Sequence, residues 1–421
     1  MLTAVVGINW GDEGKGRMVD LLSADYDIVC RYQGGNNAGH TVINDYGKIV
    51  LNLLPSGISR EGTVNVMGNG MVIDLEHLVH EIQSLRDKGI HIGPDNLKIS
   101  DKAVICLPWH KMQDIMEEDR LKDKKFGSTR RGIGPVYADK YMKKAIRMGD
   151  LFAPDKLPEK VADLTEWKNL TVRGYGHEPV KAEDILAWLH EFGDPIKPYI
   201  TDVSDYLYDA ATAGENIMFE AQLGALRDID FGIYPYTSSS CTLAGYATIG
   251  AGIPGLKLDK TIGIMKAYSS CVGEGPFTVE MFGDEAEALR RAGGEYGAAT
   301  GRPRRVGAFD IPASRYGVRM HGADCIALTK MDVLSYMDKI PVCVAYDING
   351  EITEKFPVGE RLNAAKPVFE YMEGFGDISG CRKPEDLPKA AMDYIRYLEA
   401  AVGCKIKYVS VGAGRDEYVE L

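Results

Sequence analysis

Short apolar runs rich in β-branched residues alternate along this chain with segments whose apolar residues recur every three or four positions. The run TAVVGI at residues 3–8 precedes a helical segment at about residues 16–22, and DIVCRY at 27–32 comes next. Such alternation is typical of an α/β protein with a mainly parallel sheet flanked by helices. Five later runs predict further strands: NIMFE, KTIGIMKAY, DCIALTKMD, IPVCVAYD and KIKYVSVG.

The clearest helix follows the strand-like run TVNVMG at residues 63–68. Asp74 is its predicted N-cap and Gly89 its predicted stop, because a carboxylate accepts free amide hydrogens at a helix start and glycine tolerates the left-handed turn beyond its end. The predicted apolar face comprises Leu75, Leu78, Val79, Ile82 and Leu85. Upstream, INDYGKIVLNL at residues 43–53 predicts a hairpin insertion.

The chain shows no proline- or serine-rich linker, no internal repeat and no low-complexity tract. Its middle is polar and helix-rich, most clearly from about residue 155 to 215. We therefore expect one continuous domain over residues 1–421, with a helical insertion subdomain at about 105–215 packed on the sheet.

Composition limits the classes of partner. Of 421 residues, 45% are hydrophobic and 26% are charged, which is ordinary for a globular protein. The net charge of −12 argues against nucleic acid or an anionic membrane as partner, because phosphate groups are held by an excess of Lys and Arg. No apolar run approaches the roughly 20 residues that span a bilayer. We expect a protein that binds neither nucleic acid nor membrane.

The eight cysteines are scattered, and none forms a CxxC pair. Cys343, within an apolar run, is expected to be buried as a small hydrophobic side chain. Neither the cysteines nor the eight histidines have the spacing of a zinc site. Because the sequence enters a strand at once, without the basic segment of a signal peptide, we expect a cytoplasmic location.

The first strand runs into NWGDEGKGRMVD, residues 9–20. A strand, a glycine loop and a helix start present unpaired amides and the helix dipole to one anion, and Lys15 adds a charge that can reach phosphate oxygens. The spacing differs from the standard P-loop: six residues separate Gly7 from Gly14, and Gly16 replaces the hydroxyl residue that holds Mg²⁺. The alternative interpretation is a tight turn with solvated charges.

A second glycine loop, RYQGGNNAGHTV at residues 31–42, follows the next strand. Its Asn36 and Asn37 amides can read a base or a ribose, and His40 can reach a substrate oxygen. A single loop histidine is more often a surface residue. Two such loops, however, predict one shared cleft at the carboxyl ends of a parallel sheet.

Together, GDEGKG and QGGNNAGHT resemble the adenylosuccinate synthetase family, and the resemblance continues along the whole chain. The further matching segments are STRRGIGPVYADK (128–140), LRDIDFGIYPYTSSS (226–240), KAYSSCVGEGPF (266–277), GAATGRPRRVG (297–307), LTKMDVL (328–334) and VSVGAGR (409–415). The resemblance implies a P-loop-NTPase-like fold with insertions. It also implies an Mg²⁺-dependent ligase that joins L-aspartate to IMP with GTP, through a 6-phosphoryl-IMP intermediate.

The resemblance assigns roles around the first two loops. Asp12 would be the general base that removes the purine N1 proton, and it would bind Mg²⁺ with the carbonyl of Gly39. His40 would stabilise the charge that develops during phosphoryl transfer. The GTP phosphates would be held by Gly14, Lys15 and Gly16.

Further GTP contacts are implied by TKMD. Asp332 would accept hydrogen bonds from guanine, beside Lys330, and Ser410 and Gly412 would complete the pocket. Arg304 would face nucleotide phosphate or ribose. Without the resemblance, TKMD would be interpreted as an ordinary strand end and turn.

For the acceptor, the resemblance implies aspartate contacts from Thr300 and Arg302, in a loop that is otherwise an exposed basic turn. It implies IMP contacts from Asn37, Ser128, Thr129, Lys143, Leu223, Ser238 and Arg302. Lys143 would reach across a homodimer to the partner's IMP phosphate.

Several positions depart from the family pattern, mostly on the IMP side. Leu223 replaces a purine-contacting glutamine, with Gln222 one position early, and Cys271 replaces an arginine. Further departures are Ser240, Cys241, Lys143, Pro303 and Ala413. They predict a divergent IMP pocket, because a lost amide partner alters discrimination. The alternatives are a paralogous ligase that couples an amino acid to another purine nucleotide, and a catalytically inactive GTP-binding protein.

Overall fold

The computed structural model describes residues 1–296 and 303–421, and within these ranges it contains twenty strands and twelve α-helices. In chain order the strands are β1 (Leu2–Gly7), β2 (Ile28–Arg31), β3 (His40–Asn44), β4 (Gly47–Leu51), β5 (Val64–Met67), β6 (Val72–Ile73), β7 (Leu97–Ser100), β8 (Val104–Ile105), β9 (Ile200–Thr201), β10 (Ile217–Glu220), β11 (Lys260–Lys266), β12 (Ser269–Cys271), β13 (Arg305–Gly307), β14 (Phe309–Asp310), β15 (Cys325–Thr329), β16 (Lys339–Ile348), β17 (Glu351–Thr353), β18 (Ala365–Glu373), β19 (Ile406–Ser410) and β20 (Tyr418–Glu420). The helices are α1 (Lys15–Leu22), α2 (Leu75–Arg86), α3 (Pro108–Leu121), α4 (Ile133–Tyr141), α5 (Leu157–Gly174), α6 (Ala182–Gly193), α7 (Val203–Thr212), α8 (Ala247–Ala251), α9 (Gly283–Gly293), α10 (Ile311–His321), α11 (Glu360–Asn363) and α12 (Lys389–Val402).

Ten of these strands form one central sheet in the order β20-β19-β15-β11-β1-β10-β2-β5-β7-β9. Every neighbouring pair in it is parallel except β19 and β20, which are antiparallel. The prediction of an α/β fold with a mainly parallel sheet is confirmed. Strands β1 and β2 are separated by β10, so the loops that follow them lie on either side of the end of β10.

The sheet is covered on both faces, which explains why its strands are almost continuously apolar. Side chains alternate across a strand, so Val5 packs with Met18 and Val19 of α1 on one face. Ala4 and Val6 lie on the other face with side chains of α7 and α8. The apolar runs of the sequence are therefore buried strands between two layers of helices.

Helix α2 has the predicted cap and apolar face. The Asp74 carboxylate accepts a hydrogen bond from the His77 amide at 3.3 Å, and Leu75, Leu78, Ile82 and Leu85 are buried while Val79 is partly buried. The helix ends at Arg86, three residues before Gly89, whose φ of +84° is left-handed as expected of a stop residue. Strands β3 and β4 pair antiparallel, which confirms the predicted hairpin.

Two regions lie outside the central sheet. The run IPVCVAYD lies in β16, which belongs to a separate four-stranded sheet with β14, β17 and β18. Helices α5 and α6 share a core with α2 and β7, whereas α7 packs against the central sheet through Val203 and Leu207. The helical segment thus contributes to two different cores.

All eight cysteines are free thiols, and all except the partly exposed Cys241 are buried. Burial raises the pKa of the Cys404 thiol to about 11 and that of Cys241 to about 12. Over residues 1–296 and 303–421, no helix has both the length and the apolar character needed to traverse a lipid bilayer.

Candidate active site

A cavity of about 540 Å³ opens at the carboxyl ends of the central strands, where the two glycine loops lie. Side chains or backbone of twelve predicted site residues line it: Asp12, Gly14, Lys15, Gly16, Asn37, Gly39, His40, Leu223, Arg304, Lys330, Asp332 and Gly412. Ligands of open α/β sheets bind in this position, outside the carboxyl ends of the strands. The structure therefore brings both loops, TKMD and one arginine to a single cleft.

The first glycine loop folds around a buried carboxylate, a placement that no pattern in the sequence indicates. Glu13 is buried, and its Oε1 accepts hydrogen bonds from the amides of Asn9 (3.1 Å) and Gly11 (2.8 Å). Its Oε2 accepts one from Lys15 Nζ at 2.7 Å. Glu13 thus stabilises the loop and orients Lys15, rather than facing an anion. Asp12 lies in the left-handed region at φ +58° and keeps 32% of its side chain exposed in the cavity.

The helix that follows begins as an anion site requires. Gly14 caps α1 with a φ of +90°, a left-handed conformation that favours glycine, and it has no side chain of its own to cap the helix amides. Gly16 in the first turn lies against β3: a Cβ added there would be 2.7 Å from the Cβ of His40. The two loops are therefore in direct contact, as the shared cleft requires.

His40 is the first residue of β3, and a buried carboxylate fixes the position of its imidazole. Its Nδ1 lies 2.5 Å from Oε1 of Glu220, the last residue of β10. Ser56 fixes the same carboxylate, since its hydroxyl donates to Oε1 at 2.5 Å and its amide to Oε2 at 2.7 Å. Burial lowers the pKa of His40 from its usual range, against the opposing charge of Glu220.

At the other end of the cavity lies the turn that contains Asp332. Oδ1 of Asp332 is buried and has no hydrogen-bond partner within residues 1–296 and 303–421. Burial raises the pKa of this carboxyl. Arg17 lies beside it and donates to Ser410 Oγ and to the carbonyl of Gly414 (2.6 Å), which explains why Ser410 contacts this pocket from behind instead of lining it.

Between the two ends, Arg304 connects the cavity to a buried charge cluster. Its Nε lies 3.3 Å from Asp12 Oδ2, and its Nη1 donates to Glu295 Oε2 at 2.9 Å. Lys330, at φ +56°, donates to the carbonyl of Gly293 (2.6 Å) and to Glu295 Oε1 (3.1 Å). Arg304 and Lys330 are thus anchored to the same carboxylate.

Other predicted residues lie apart from this cavity. Ser128 and Thr129 are exposed, and Ser128 Oγ donates to Asp114 at 2.6 Å. Lys143 is exposed with a left-handed φ of +62°, and Ser238 lies on the loop that Arg227 supports. Thr300 and Arg302 lie outside the described residues.

The residues that depart from the family pattern lie in different environments in the structure. Leu223 lines the cavity with φ +60°, an unusual conformation for a branched side chain, and such outliers concentrate at functional sites. Gln222 is fully buried and donates to the Gly35 carbonyl at 2.8 Å, so it supports the second loop from behind. Cys271 is buried against Arg227, whose Nη2 lies 2.8 Å from the sulfur. Ser240 donates to Gln33 at 2.8 Å.

Sequence reasoning missed four charged residues that organise the site: Glu220, Glu295, Arg17 and Arg227. Glu220 carried a usable signal, because a carboxylate at the carboxyl end of an apolar parallel strand faces the ligand edge of the sheet. Glu295 lies in a polar segment after α9, where no periodicity indicates which side chains are buried.

Among residues 1–296 and 303–421, no group of three or more His, Cys, Asp and Glu side chains is arranged to hold a metal ion. Beside the two glycine loops, the Asp12 carboxylate and the backbone of Gly39 can offer oxygen donors to the cavity, while the Asp332 carboxylate lines its other end. A single carboxylate suits an ion that completes its coordination with phosphate oxygens and water, as Mg²⁺ does.

A parallel sheet that leads from its first strand through a glycine loop into a helix start, beside a carboxylate and a guanidinium, defines a nucleotide-dependent α/β enzyme of P-loop type. The family model for adenylosuccinate synthetase matches residues 4–419. The chain belongs to the adenylosuccinate synthetase family, and the prediction of a GTP-dependent C–N ligase of purine nucleotide synthesis is confirmed.

Full-length relatives support the assignment. The adenylosuccinate synthetase of Caldanaerobacter subterraneus subsp. tengcongensis is 44% identical over 100% of this chain and 99% of its own length. That of Streptococcus gordonii is 43% identical over 98% of this chain and 96% of its own.

Among solved structures, fully ligated adenylosuccinate synthetase from Plasmodium falciparum has a TM-score of 0.92 at 36% identity, covering 100% of this chain and 99% of that one. The succinoaminodeoxyadenylate synthetase of cyanophage S-2L has a TM-score of 0.61 at 18% identity, covering 100% and 95%, and it shares the fold alone. These comparisons give no support to the predicted divergence of the IMP pocket.

Proposed function

We propose that the cavity joins L-aspartate to IMP at the expense of GTP, giving adenylosuccinate, GDP and phosphate, with Asp12 as the general base. The supporting observation is that the Asp12 carboxylate faces the cavity between the glycine loop and Arg304, while the neighbouring Glu13 is turned inward. Only one of the two loop carboxylates is therefore free to meet a substrate.

In the first step, Asp12 takes the N1 proton of the purine, and O6 attacks the γ-phosphorus of GTP. The bond from that phosphorus to the β–γ bridging oxygen breaks, which releases GDP and leaves 6-phosphoryl-IMP. In the second step, the aspartate amine attacks C6, the C6–O bond breaks, phosphate leaves, and the amine nitrogen gives up one proton to the departing phosphate. An oxygen that is a poor leaving group thereby departs as phosphate.

The phosphates lie, in this proposal, at the start of α1. The amides of Gly14 and Gly16 and the ammonium of Lys15 bind them, because a helix start favours negative charge. His40, next to Gly16, stabilises the charge of the moving phosphoryl group. Asp12 and the Gly39 carbonyl would hold Mg²⁺, which neutralises phosphate charge when bound.

Guanine binds at the other end. The unpartnered Oδ1 of Asp332 supports this placement, since guanine offers N1–H and N2–H₂ donors that adenine lacks. Lys330 and Gly412 line this pocket, Ser410 supports it from behind through its hydrogen bond to the Gly412 carbonyl, and Arg304 faces nucleotide phosphate or ribose.

The acceptor side involves two residues that line the cavity and three that lie apart from it. Asn37 and Leu223, in the cavity, contact the purine nucleotide, and Ser128, Thr129 and Ser238 would reach it from loops outside the cavity. Thr300 and Arg302 bind aspartate, and Arg302 also contacts IMP. We also infer a cytoplasmic homodimer in which the exposed Lys143 reaches the partner's IMP phosphate, and a single domain over 1–421 with a helical insertion at about 105–215.

A panel of purine monophosphates tests the acceptor. Purified protein is given GTP, Mg²⁺ and L-aspartate with IMP, GMP, XMP or dGMP, and attachment of the amine is followed by ultraviolet absorbance and by GDP release. We expect turnover with IMP, and GDP formation only when IMP is present. Turnover with another nucleotide at higher kcat/KM would assign a different acceptor, and GDP formation without any acceptor would indicate a GTPase.

A further inference from the structure

We propose that Glu295 is a positioning residue that holds Arg304 beside Asp12 and Lys330 beside Asp332, so that one buried carboxylate aligns both ends of the cavity. This inference rests on the proposed function of the same site. It concerns a side chain that does not itself face the cavity.

Glu295 lies two residues beyond the end of α9 and is fully buried. Its Oε1 accepts hydrogen bonds from Lys266 Nζ (2.8 Å), Tyr268 OH (2.5 Å) and Lys330 Nζ (3.1 Å). Its Oε2 accepts one from Arg304 Nη1 (2.9 Å). Among residues 1–296 and 303–421, this carboxylate therefore receives four donors, which come from three separate parts of the chain.

The charges of this cluster do not cancel within it. Lys266, Lys330 and Arg304 carry three positive charges around one carboxylate. Burial would raise the pKa of Glu295, but the ammonium groups of Lys266 and Lys330 hold it well below its usual range. The guanidinium of Arg304 places part of this excess positive charge next to Asp12 at the cavity, where anionic substrates bind in the proposed function.

On the catalytic side, the guanidinium of Arg304 spans two carboxylates. Nη1 bonds to Glu295, and the Arg304 amide donates to the Glu295 carbonyl at 2.9 Å. Nε, 3.3 Å from Asp12 Oδ2, makes no hydrogen bond in the described part of the chain. The orientation of Arg304 is thus fixed by Glu295 and not by Asp12, which leaves Asp12 available for proton transfer.

On the guanine side, Lys330 holds the turn that presents Asp332. Its ammonium donates one hydrogen bond to Glu295 and one to the Gly293 carbonyl at the end of α9. Because Lys330 has a left-handed φ of +56°, the turn needs such an anchor to persist. Loss of the Glu295 charge removes one of the two anchors.

The chain offers a matched control in Asp139 of α4. This carboxylate is equally buried, bonds to His110 (2.9 Å) and Lys168 (2.8 Å), and does not line the cavity. Asp139→Asn removes a buried anion from a cluster of similar kind, so it reports the loss of stability alone.

The experiment compares kcat, KM for GTP and the unfolding temperature of the wild type, Glu295→Gln, Asp139→Asn, Arg304→Gln and the double variant Glu295→Gln/Arg304→Gln. We expect Glu295→Gln to lower kcat by about 10-fold or more, and Asp139→Asn to keep kcat within about twofold even where the unfolding temperature falls. In the Arg304→Gln background, Glu295→Gln should lower kcat by less than about threefold, because the two residues act as a unit.

A wild-type kcat in Glu295→Gln, an equal loss in Asp139→Asn, or two losses that multiply would each overturn the proposal. If Glu295→Gln does not fold, Glu295→Asp replaces it, since that change keeps the charge but withdraws the carboxylate from Arg304 and Lys330; unchanged kcat there would also overturn the proposal. If Asp12→Asn is inactive while Glu295→Gln is fully active, only this inference fails. If the wild type forms no ligated product, the proposed function fails.

Discussion

His40 and Glu220 form a buried pair at the edge of the cavity, with 2.5 Å between Nδ1 of the imidazole and Oε1 of the carboxylate. Because burial lowers the pKa of His40, the imidazole is neutral near pH 7, with Nδ1–H donating to Glu220 and Nε2 left as an acceptor. A donor at Nε2 arises when the ring is protonated, and an incoming triphosphate favours that form. The carboxylate of Glu220 then balances the positive charge of the protonated imidazole.

Glu220→Gln should therefore lower kcat by about 100-fold, a size typical of a lost acid–base partner, while KM for GTP changes much less. The amide keeps the shape of the side chain but does not stabilise an imidazolium. Steady-state kinetics measure the effect. Ser56→Ala is the control, because it removes one hydrogen bond to Glu220 and keeps the charge. An unchanged kcat in Glu220→Gln would show that the pair is only structural.

Asp12→Asn should reduce turnover by at least about 1000-fold, because the amide cannot take the N1 proton. The substitution is nearly isosteric, and the side chain is partly exposed, so the unfolding temperature should stay close to that of the wild type. Product formation and calorimetry measure the two properties. Near-normal turnover in this variant would contradict the assignment of the base.

Asp332→Asn should reduce the preference for GTP over ITP by about 10- to 100-fold, the equivalent of one charge-assisted hydrogen bond. ITP lacks the 2-amino group, so its loss of affinity should be smaller than that of GTP. The ratio of kcat/KM for the two nucleotides measures the change. An unaltered ratio would place guanine elsewhere.

His321 predicts a pH dependence of stability that is separate from catalysis. It is buried, its Nε2–H donates to the Gly7 carbonyl (2.9 Å), and its Nδ1 accepts from the Ala244 amide (3.2 Å), so the ring fits its neutral form. Burial lowers its pKa to about 4. Between about pH 6.5 and 4 the unfolded chain binds the proton first, so the free energy of unfolding should fall as pH falls, by up to about 3 kcal/mol.

Urea unfolding of the wild type and His321→Asn at pH 7, 5.5 and 4.5 measures this dependence. The difference between the two curves isolates His321 from other titrating groups, such as Asp310, whose pKa burial raises to about 6. Equal slopes in the wild type and His321→Asn would exclude His321 as the cause.

Local patterns predicted those parts of the molecule that depend on a few adjacent residues. The cap of α2, the β3–β4 hairpin and the strand before the first glycine loop follow from side-chain period and turn chemistry. The sheet to which β16 belongs could not be predicted, because apolar strands of the same period fit any sheet. The inward orientation of Glu13 depends on the left-handed backbone at Gly11 and Asp12. The sequence does not indicate this backbone conformation, so the opposite orientations of Asp12 and Glu13 could not be predicted.

The place of β1 in the middle of the central sheet has a consequence for biosynthesis. Its two neighbours are β10 and β11, which begin at Ile217 and Lys260, so after synthesis β1 has no partner in the sheet until about 210 further residues have been added. At about 5–20 residues per second, the wait is on the order of ten seconds or longer. The apolar amino-terminal segment is exposed to chaperones, or to misassembly, throughout that interval.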